Sequence, residues 1–462
     1  MLKLNIGFAA NIIGISWGTA IGWSSPAIAK MSSGAADSPL DFIPSAEQLS
    51  WIGSLLPIGG LCGPIFFAPL PGMIGRKWSL IVNAWSFVLS FIILIFMHDI
   101  EWIYFARFLQ GWGSGVVMVI LPIYTGEIAS ADCRGILSSF IQLGLVVGIL
   151  YAYCIGPFVH YVTFQVLCLI IPVIFIATFS LMPDSPYYLI ARGDRFAAVN
   201  ALKFLRAGNK NEEILKEIDD IKASVDESLN KRYSFFAMFK GKANLLAMTI
   251  VVGLICFQNF SGIDAVLFYS ETIFKRAGSS LDSAIATIII GCVMLGASCI
   301  SPFFVDSSGR RGLLLISAAG MAVSLTTMGV YFFFDLHNEE TISSFGWIPV
   351  TSLVSFILFY CVGFGPLPFT ILGEMFSPDI KSMASSFAVS ACWIVDFGVT
   401  KSFLPLEAYV GNYGNFWLFG AFCVIAFVFT WVFVFETKGL TLDEIQDRLN
   451  GRLRRGRQTV SA

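Results

Sequence analysis

GRKWSLIVNAWSFVLSFIILIFM, residues 75–97, is the stretch on which the fold turns. Two basic residues, Arg76 and Lys77, lead into an uncharged run from Ser79 to Met97. About 20 mainly apolar residues in a helix cross the hydrocarbon layer of a bilayer. Leucine, isoleucine, valine and phenylalanine fall on every side of this helix and leave it no wet face. Only helices and closed barrels cross lipid without stranding backbone polar groups, and runs this long and uniformly apolar exclude the barrel.

Comparable runs recur at 6–28, 50–70, 79–97, 102–124, 136–156 and 162–182, then at 245–270, 284–305, 312–334, 347–373, 384–404 and 415–435. Twelve spans in two sets of six are therefore expected. Of 462 residues, 56% are hydrophobic and 13% charged, against about 25% charged in soluble domains. The first run exceeds a signal-peptide core and reaches Pro26 without a small-residue cleavage site, so no cleaved leader is expected. Cysteines such as Cys154, Cys168, Cys256 and Cys423 sit inside apolar runs and read as small buried hydrophobes. Histidines occur only at 98, 160 and 337, so neither a metal nor a cofactor is expected. No nucleophile–base set and no nucleic-acid surface is visible, which argues against an enzyme and a nucleic-acid partner.

The expected units are an N-terminal six-helix bundle at 1–183, a linker with amphipathic helices at 184–243, a second six-helix bundle at 244–435 and a tail at 436–462. In the linker, NEEILKEIDDIKASVDES (211–228) repeats Ile214, Ile218 and Ile221 at helical spacing between charges, a soluble helix expected to cap one face. Arg76, Lys77, Arg134, Arg310, Arg311, Lys381 and the tail arginines 452, 454, 455 and 457 share one side. Asp37, Asp41, Glu47, Asp99, Glu101, Asp335, Glu339 and Glu340 share the other, with Lys275 and Arg276 as the exception. The positive-inside rule then makes both termini cytosolic. The halves also echo each other. Gly75–Arg76–Lys77 joins spans 2 and 3 as Gly309–Arg310–Arg311 joins 8 and 9, and Glu127 precedes Arg134 by seven residues as Glu374 precedes Lys381. Such duplication fits two bundles rocking about a central site.

Polar side chains inside spans normally face protein or a wet cavity. Gln142 lies in span 5, Gln258, Asn259, Ser261 and Asp264 in span 7, Thr370 in span 10 and Asp396 in span 11. An amide offers both acceptor and donor, which suits the hydroxyls of a neutral polyol. Trp17, Phe369 and Trp393 offer flat apolar faces. For Gln142 and Gln258 the competing reading is a bond to a neighbouring helix. Gly363–Phe–Gly–Pro–Leu–Pro–Phe–Thr370 puts Gly365, Pro366 and Pro368 into one span, predicting a broken or bent helix that acts as a hinge or as a fixed kink. Glu127 with Arg134, and Glu374 with Lys381, predict a charge lattice at one end, either reversible or a static anchor.

In this order the motifs resemble the sugar porter family of the major facilitator superfamily, most of all its insect facilitated trehalose transporters, from about Gly7 to Thr441. They are the two basic loops, the second reading Asp306–Ser–Ser–Gly–Arg310–Arg311; Arg107 with Gly111–Trp–Gly–Ser–Gly115; Glu127 and Arg134–Gly135; Pro183–Asp–Ser–Pro186; and Glu436–Thr–Lys–Gly439. The resemblance implies an all-α integral membrane protein of twelve helices in two pseudo-symmetric bundles. It implies facilitative transport of a small neutral sugar, trehalose or a hexose, across the plasma membrane, by a monomer surrounded by membrane lipid. Gln142, Gln258 and Trp393 become candidate sugar contacts, with Asn259, Asp264, Phe369 and Asp396 beside them. Arg76, Arg107, Glu127, Arg134, Asp306, Arg310, Glu374, Lys381 and Glu436 become the charged gating set. Asn259, Asp264 and Phe369 replace the glutamine, asparagine and tryptophan usual in the family, and Cys392 and Asp396 stand where some sugar carriers have asparagine. These departures leave the sugar open. Span 1 has no acid, which favours uniport, while Asp264 and Asp396 keep proton-coupled symport open. A non-transporting nutrient sensor on the same fold is the other alternative.

Overall fold

The computed structural model describes residues 2–34, 38–129, 134–206, 211–230, 239, 241–279, 281–337, 345–376 and 378–450. The first half holds α1 (Leu2–Gly22), α2 (Ser24–Ser33), α3 (Ala46–Phe67), α4 (Arg76–Phe96), α5 (Ile100–Ile128), α6 (Arg134–Ile155) and α7 (Tyr161–Phe179). The linker holds α8 (Pro186–Ala191), α9 (Arg195–Leu205) and α10 (Asn211–Asn230). The second half holds α11 (Lys242–Phe260), α12 (Ile263–Arg276), α13 (Ser283–Ser308), α14 (Arg310–His337), α15 (Ile348–Val362), α16 (Leu367–Met375) and α17 (Pro378–Phe433), followed by α18 (Leu442–Leu449).

Nine stretches of the described residues are long and apolar enough to cross a membrane. The broken α1–α2 run and α6, whose apolar part is Ser139–Ile155, supply two further crossings. The last comes from α17. Its stretch Met383–Phe433 has 51 residues, roughly 77 Å at the α-helical rise and so enough for two passes. It reverses at Gly411, where φ is +77°. The spans expected at 384–404 and 415–435 are thus two helices that meet at this corner, where the backbone leaves the helical region. The first span runs past its expected end to Ser33, because Pro26 sits in the first turn of α2, where no helical donor is needed.

The outward face of α4 explains why this bundle belongs in lipid. Trp78, Val82, Trp85, Leu89, Ile92 and Phe96 follow one another at helical spacing and are all exposed. Leu80, Ala84, Phe87, Phe91 and Leu94 on the opposite face are buried. Such a stripe is unfavourable in water and suits acyl chains. Cys154 is likewise exposed, not buried as its apolar surroundings in the sequence suggested. Between helices, backbones approach closely: a Cβ on Gly111 would lie 1.9 Å from the Leu56 oxygen, and one on Gly59 2.1 Å from the Phe108 oxygen. Small residues permit that contact between α3 and α5, where lipid provides no hydrophobic drive for association.

In the linker, Ile214 and Ile218 of α10 pack with Ala198 and Leu202 of α9 in a small core of their own. Arg206 ion-pairs with Glu217 at 2.9 Å and donates to the Ile128 carbonyl at 2.9 Å, fastening the linker to the end of α5. This end of the bundle is the linker end, and the opposite one the far end. The halves meet where α3 faces α17, α6 faces α13 and α2 faces α12. Several bonds join them toward the far end. Lys401 Nζ reaches Glu47 Oε1 at 2.5 Å and Ser50 Oγ at 2.8 Å. The Glu271 amide donates to Ser25 Oγ at 3.0 Å, and the Tyr153 hydroxyl to the Leu267 carbonyl at 2.6 Å.

Candidate substrate chamber and charge clusters

Three broken helices shape the centre of the molecule. The α15–α16 break falls at Gly363–Pro366, and Pro366 and Pro368 sit at the start of α16, where a missing N–H costs nothing. The Phe364 amide donates to Ser317 Oγ at 3.1 Å. The carbonyls of Phe364 and Gly365 accept from Gln258 Nε2 at 2.8 and 3.0 Å, and the Tyr360 hydroxyl accepts from the same nitrogen at 3.1 Å. Irregular backbone at membrane depth survives only when protein satisfies it, and Gln258 does that here. Gln258 itself lies two residues before the α11–α12 break, at which Gly262 has a φ of +79°. At the α1–α2 break Arg107 has the matching task. Fully buried, it donates to the carbonyls of Ile52 and Ala20 at 2.9 and 2.7 Å and to Ser24 Oγ at 2.6 Å, with the Trp23 ring 5.0 Å away. Among the described residues Arg107 makes no ion pair; its bonds go to the backbone and side chains around the break.

Around these breaks the predicted substrate residues of the second half gather. Asn259 Nδ2 donates to the Ile255 carbonyl at 2.9 Å and to Cys392 Sγ at 3.3 Å. Trp393 and Asp396 lie three residues apart on one face of α17, both nearly buried, and neither Trp393 Nε1 nor Asp396 Oδ1 has a partner. The Trp393 ring lies against Gly60 of the other half, where an added Cβ would come within 2.7 Å of it. Asp264, half-buried in the first turn of α12, and Asp396 are close enough to act on each other electrostatically. Phe369 is half-buried on α16. Gln142 is exposed, yet helical spacing puts it on the face of α6 that carries the buried Val146, Ile149 and Tyr153, the last of which reaches the other half. Trp17 is half-buried and its Nε1 also lacks a partner. Sequence reasoning missed Tyr360, a lone hydroxyl in an apolar run, and the Lys401–Glu47 pair, whose members lie 354 residues apart.

At the linker end two matched clusters form, one in each half. Arg76 grips Glu127 Oε1 through Nε at 3.2 Å and Nη2 at 2.9 Å. Arg310 grips Glu374 Oε1 through the same two nitrogens at 3.2 and 3.0 Å. Asp184 Oδ1 accepts from the Lys77 amide at 3.1 Å, and the Glu436 carboxylate accepts from the amides of Arg310 and Arg311 at 2.8 and 3.1 Å. Each acid thus covers the bare N-terminus of a helix. Gly75 and Gly309, with φ of +95° and +82°, allow the approach. Arg76 is the described partner of Glu127, and the pairing expected of Lys381 is revised: it donates to the Gly373 carbonyl at 2.9 Å, not to Glu374. Cross-helix pairing holds two spans together, which a pair on adjoining segments cannot do. The side chains of Arg134 and Asp306 lie outside the described residues.

Comparisons with known proteins agree with this architecture. A facilitated trehalose transporter of Polypedilum vanderplanki is 33% identical over 440 residues, 95% of this chain and 86% of the relative. One from Culex quinquefasciatus is 33% identical, covering 98% of this chain and 86% of the relative. Among solved structures, the inward-open xylose transporter XylE of E. coli superposes with a TM-score of 0.81 at 23% identity, covering 96% of this chain and 99% of that one. The family model described as "Sugar (and other) transporter" matches residues 11–449. With that match over nearly its whole length, on a major facilitator fold, the chain belongs to the sugar transporter family.

Proposed function

We propose that this protein carries a sugar, trehalose or a hexose, down its gradient by alternating access. The observation that carries the reading is the joint at Gln258, where two broken helices meet beside Asn259, Trp393 and Asp396 at the interface between the halves. The trehalose-transporter relatives support the substrate class. The working membrane is the plasma membrane, the functional unit is a monomer, and the basic linker end faces the cytosol. The units 1–183, 184–243, 244–435 and 436–462 then act as two rocking bundles, a cytosolic brace and a tail. Gly365, Pro366 and Pro368 act as the hinge. The bonds named between the halves cluster at the far end, which supports a conformation closed to the exterior and open to the cytosol, with exposed Gln142 in the opening. The charge clusters regulate the reverse closure.

The test is radiolabelled uptake by purified protein in liposomes, with trehalose, glucose, fructose, sucrose and polyols. Saturable counterflow of at least one sugar without an imposed gradient is expected, and absence of flux for all of them refutes the reading. Asp264 and Asp396 favour a second reading, proton-coupled symport. It predicts sugar accumulation driven by an inward proton gradient and abolished by Asp396→Asn.

A further inference from the structure

The two glutamates of the linker-end clusters are steadied in the same way by segments that lie outside the bundles. Glu127 is the last residue but one of α5, and Glu374 the last but one of α16. Each helix stops one residue later, because Ala129 and Phe376 are extended, with ψ of 137° and 139°. The carbonyls of the last turn are left there without helical donors. In the first half the Ile128 carbonyl accepts from Arg206 Nη1 at 2.9 Å, and Arg206 closes the linker helix α9. In the second the Met375 carbonyl accepts from Gln446 Nε2 at 2.8 Å, on the tail helix α18. The same backbone atom, one residue beyond the glutamate, is thus held by the segment that follows each bundle. Both grips are anchored. Arg206 is buried and its Nη2 is fixed by Glu217 at 2.9 Å. Helix α18 is seated by the buried Ile445 and Leu449 and starts from a capping box of Thr441 and Glu444. The tail has a further hold on its cluster: Thr437 Oγ1 donates to Glu374 Oε2 at 2.6 Å, while Arg310 holds the other oxygen.

We propose that Arg206 and Gln446 are counterpart positioning residues. Each fixes the end of the helix that carries a cluster glutamate, so that the carboxylate stays on its arginine, Arg76 in the first half and Arg310 in the second. The linker and the tail are then equivalent braces, with Thr437 as a second grip in the tail. They act on the swing of the helices and not on the substrate. Between the Gln258 joint and Glu374 runs α16, nine residues and roughly 14 Å long.

The experiment measures coupling within Arg76–Glu127 and within Arg310–Glu374, from melting temperatures of the purified full-length protein, in added backgrounds. Gln446→Met, close in shape but unable to donate, should lower the Arg310–Glu374 coupling by half or more and leave Arg76–Glu127 as it is. Thr437→Val should do the same, and Thr437→Ser should restore it. Arg206→Met should weaken only Arg76–Glu127, whereas Glu217→Gln, which keeps the bond to Ile128, should leave both couplings unchanged. In liposomes the three weakening variants should slow maximal sugar counterflow about threefold to tenfold, the worth of one hydrogen bond, at an unchanged half-saturating concentration. Couplings that fall equally in both halves, or in neither, overturn the inference. So does a raised half-saturating concentration with maximal flux intact, or an effect of Glu217→Gln as large as that of Arg206→Met. If one variant fails to fold, the variant in the other half carries the same comparison. The flux arm rests on the sugar-carrier reading: absence of flux in the wild type refutes that reading and leaves the couplings to decide this one.

Discussion

Gln258 spends its amide hydrogens on carbonyls that the break in α15–α16 would otherwise strand. Gln258→Ala should therefore unpair two backbone acceptors, at about 1–3 kcal/mol for each that stays dry, and lower the melting temperature in detergent. Asn259→Ala should cost less, since its main bond is to the carbonyl of its own helix one turn back. That Gln258 sits at the centre was legible from a polar residue in an oily run. That its donors are already used was not, because this depends on carbonyls freed more than 100 residues later in the chain. Asp184, outside the spans, makes a pH-dependent prediction. Burial raises its pKa above the ordinary aspartate value, and the backbone amides of Lys77 and Ser185 pull it part of the way back. The folded protein thus holds this proton at a pH where the unfolded chain has released it, so stability declines as pH rises from the ordinary aspartate range through the raised value, then levels off. Asp184→Asn keeps the Oδ1 acceptor and should flatten that slope in melting temperatures measured across pH.

At the scale of helices, the two linker-end clusters are copies built from distant elements. Arg76 on α4 takes its acid from the end of α5, and Arg310 on α14 takes its acid from α16. Double-mutant cycles should find coupling of about 0.5–3 kcal/mol within Arg76–Glu127 and within Arg310–Glu374, and values within about 0.5 kcal/mol for the cross pair Arg76–Glu374. A comparable coupling across the halves would contradict clusters that close within their own bundles. The repeat itself could be read directly, since Gly–basic–basic recurs between equivalent spans. The partners could not, because separation along the chain says nothing about which acid a guanidinium meets after helices pack. Sequence already named Arg76 and Arg310 among the charged set and paired Glu374 with the nearby Lys381; cross-helix geometry supplied which acid each arginine meets.

Across the whole molecule, the helix count and duplicated plan followed from the length and evenness of the apolar runs, and the family match agrees. The closure at the far end could not be read, since its bonds join residues far apart in the chain, among them one lysine that meets a glutamate, a serine hydroxyl and, at 4.2 Å, the Trp51 ring. Lys401→Met should remove all three contacts and shift the carrier toward its other state, seen as faster labelling of cysteines introduced at the far end and slower labelling of one at Gln142. Unchanged labelling would mean that the other bonds between the halves and their packing hold the closure without Lys401. The bend at Gly411 has its own consequence. Only glycine takes that backbone without strain, so a side chain at 411 would spoil the corner at which the last two passes turn back on each other.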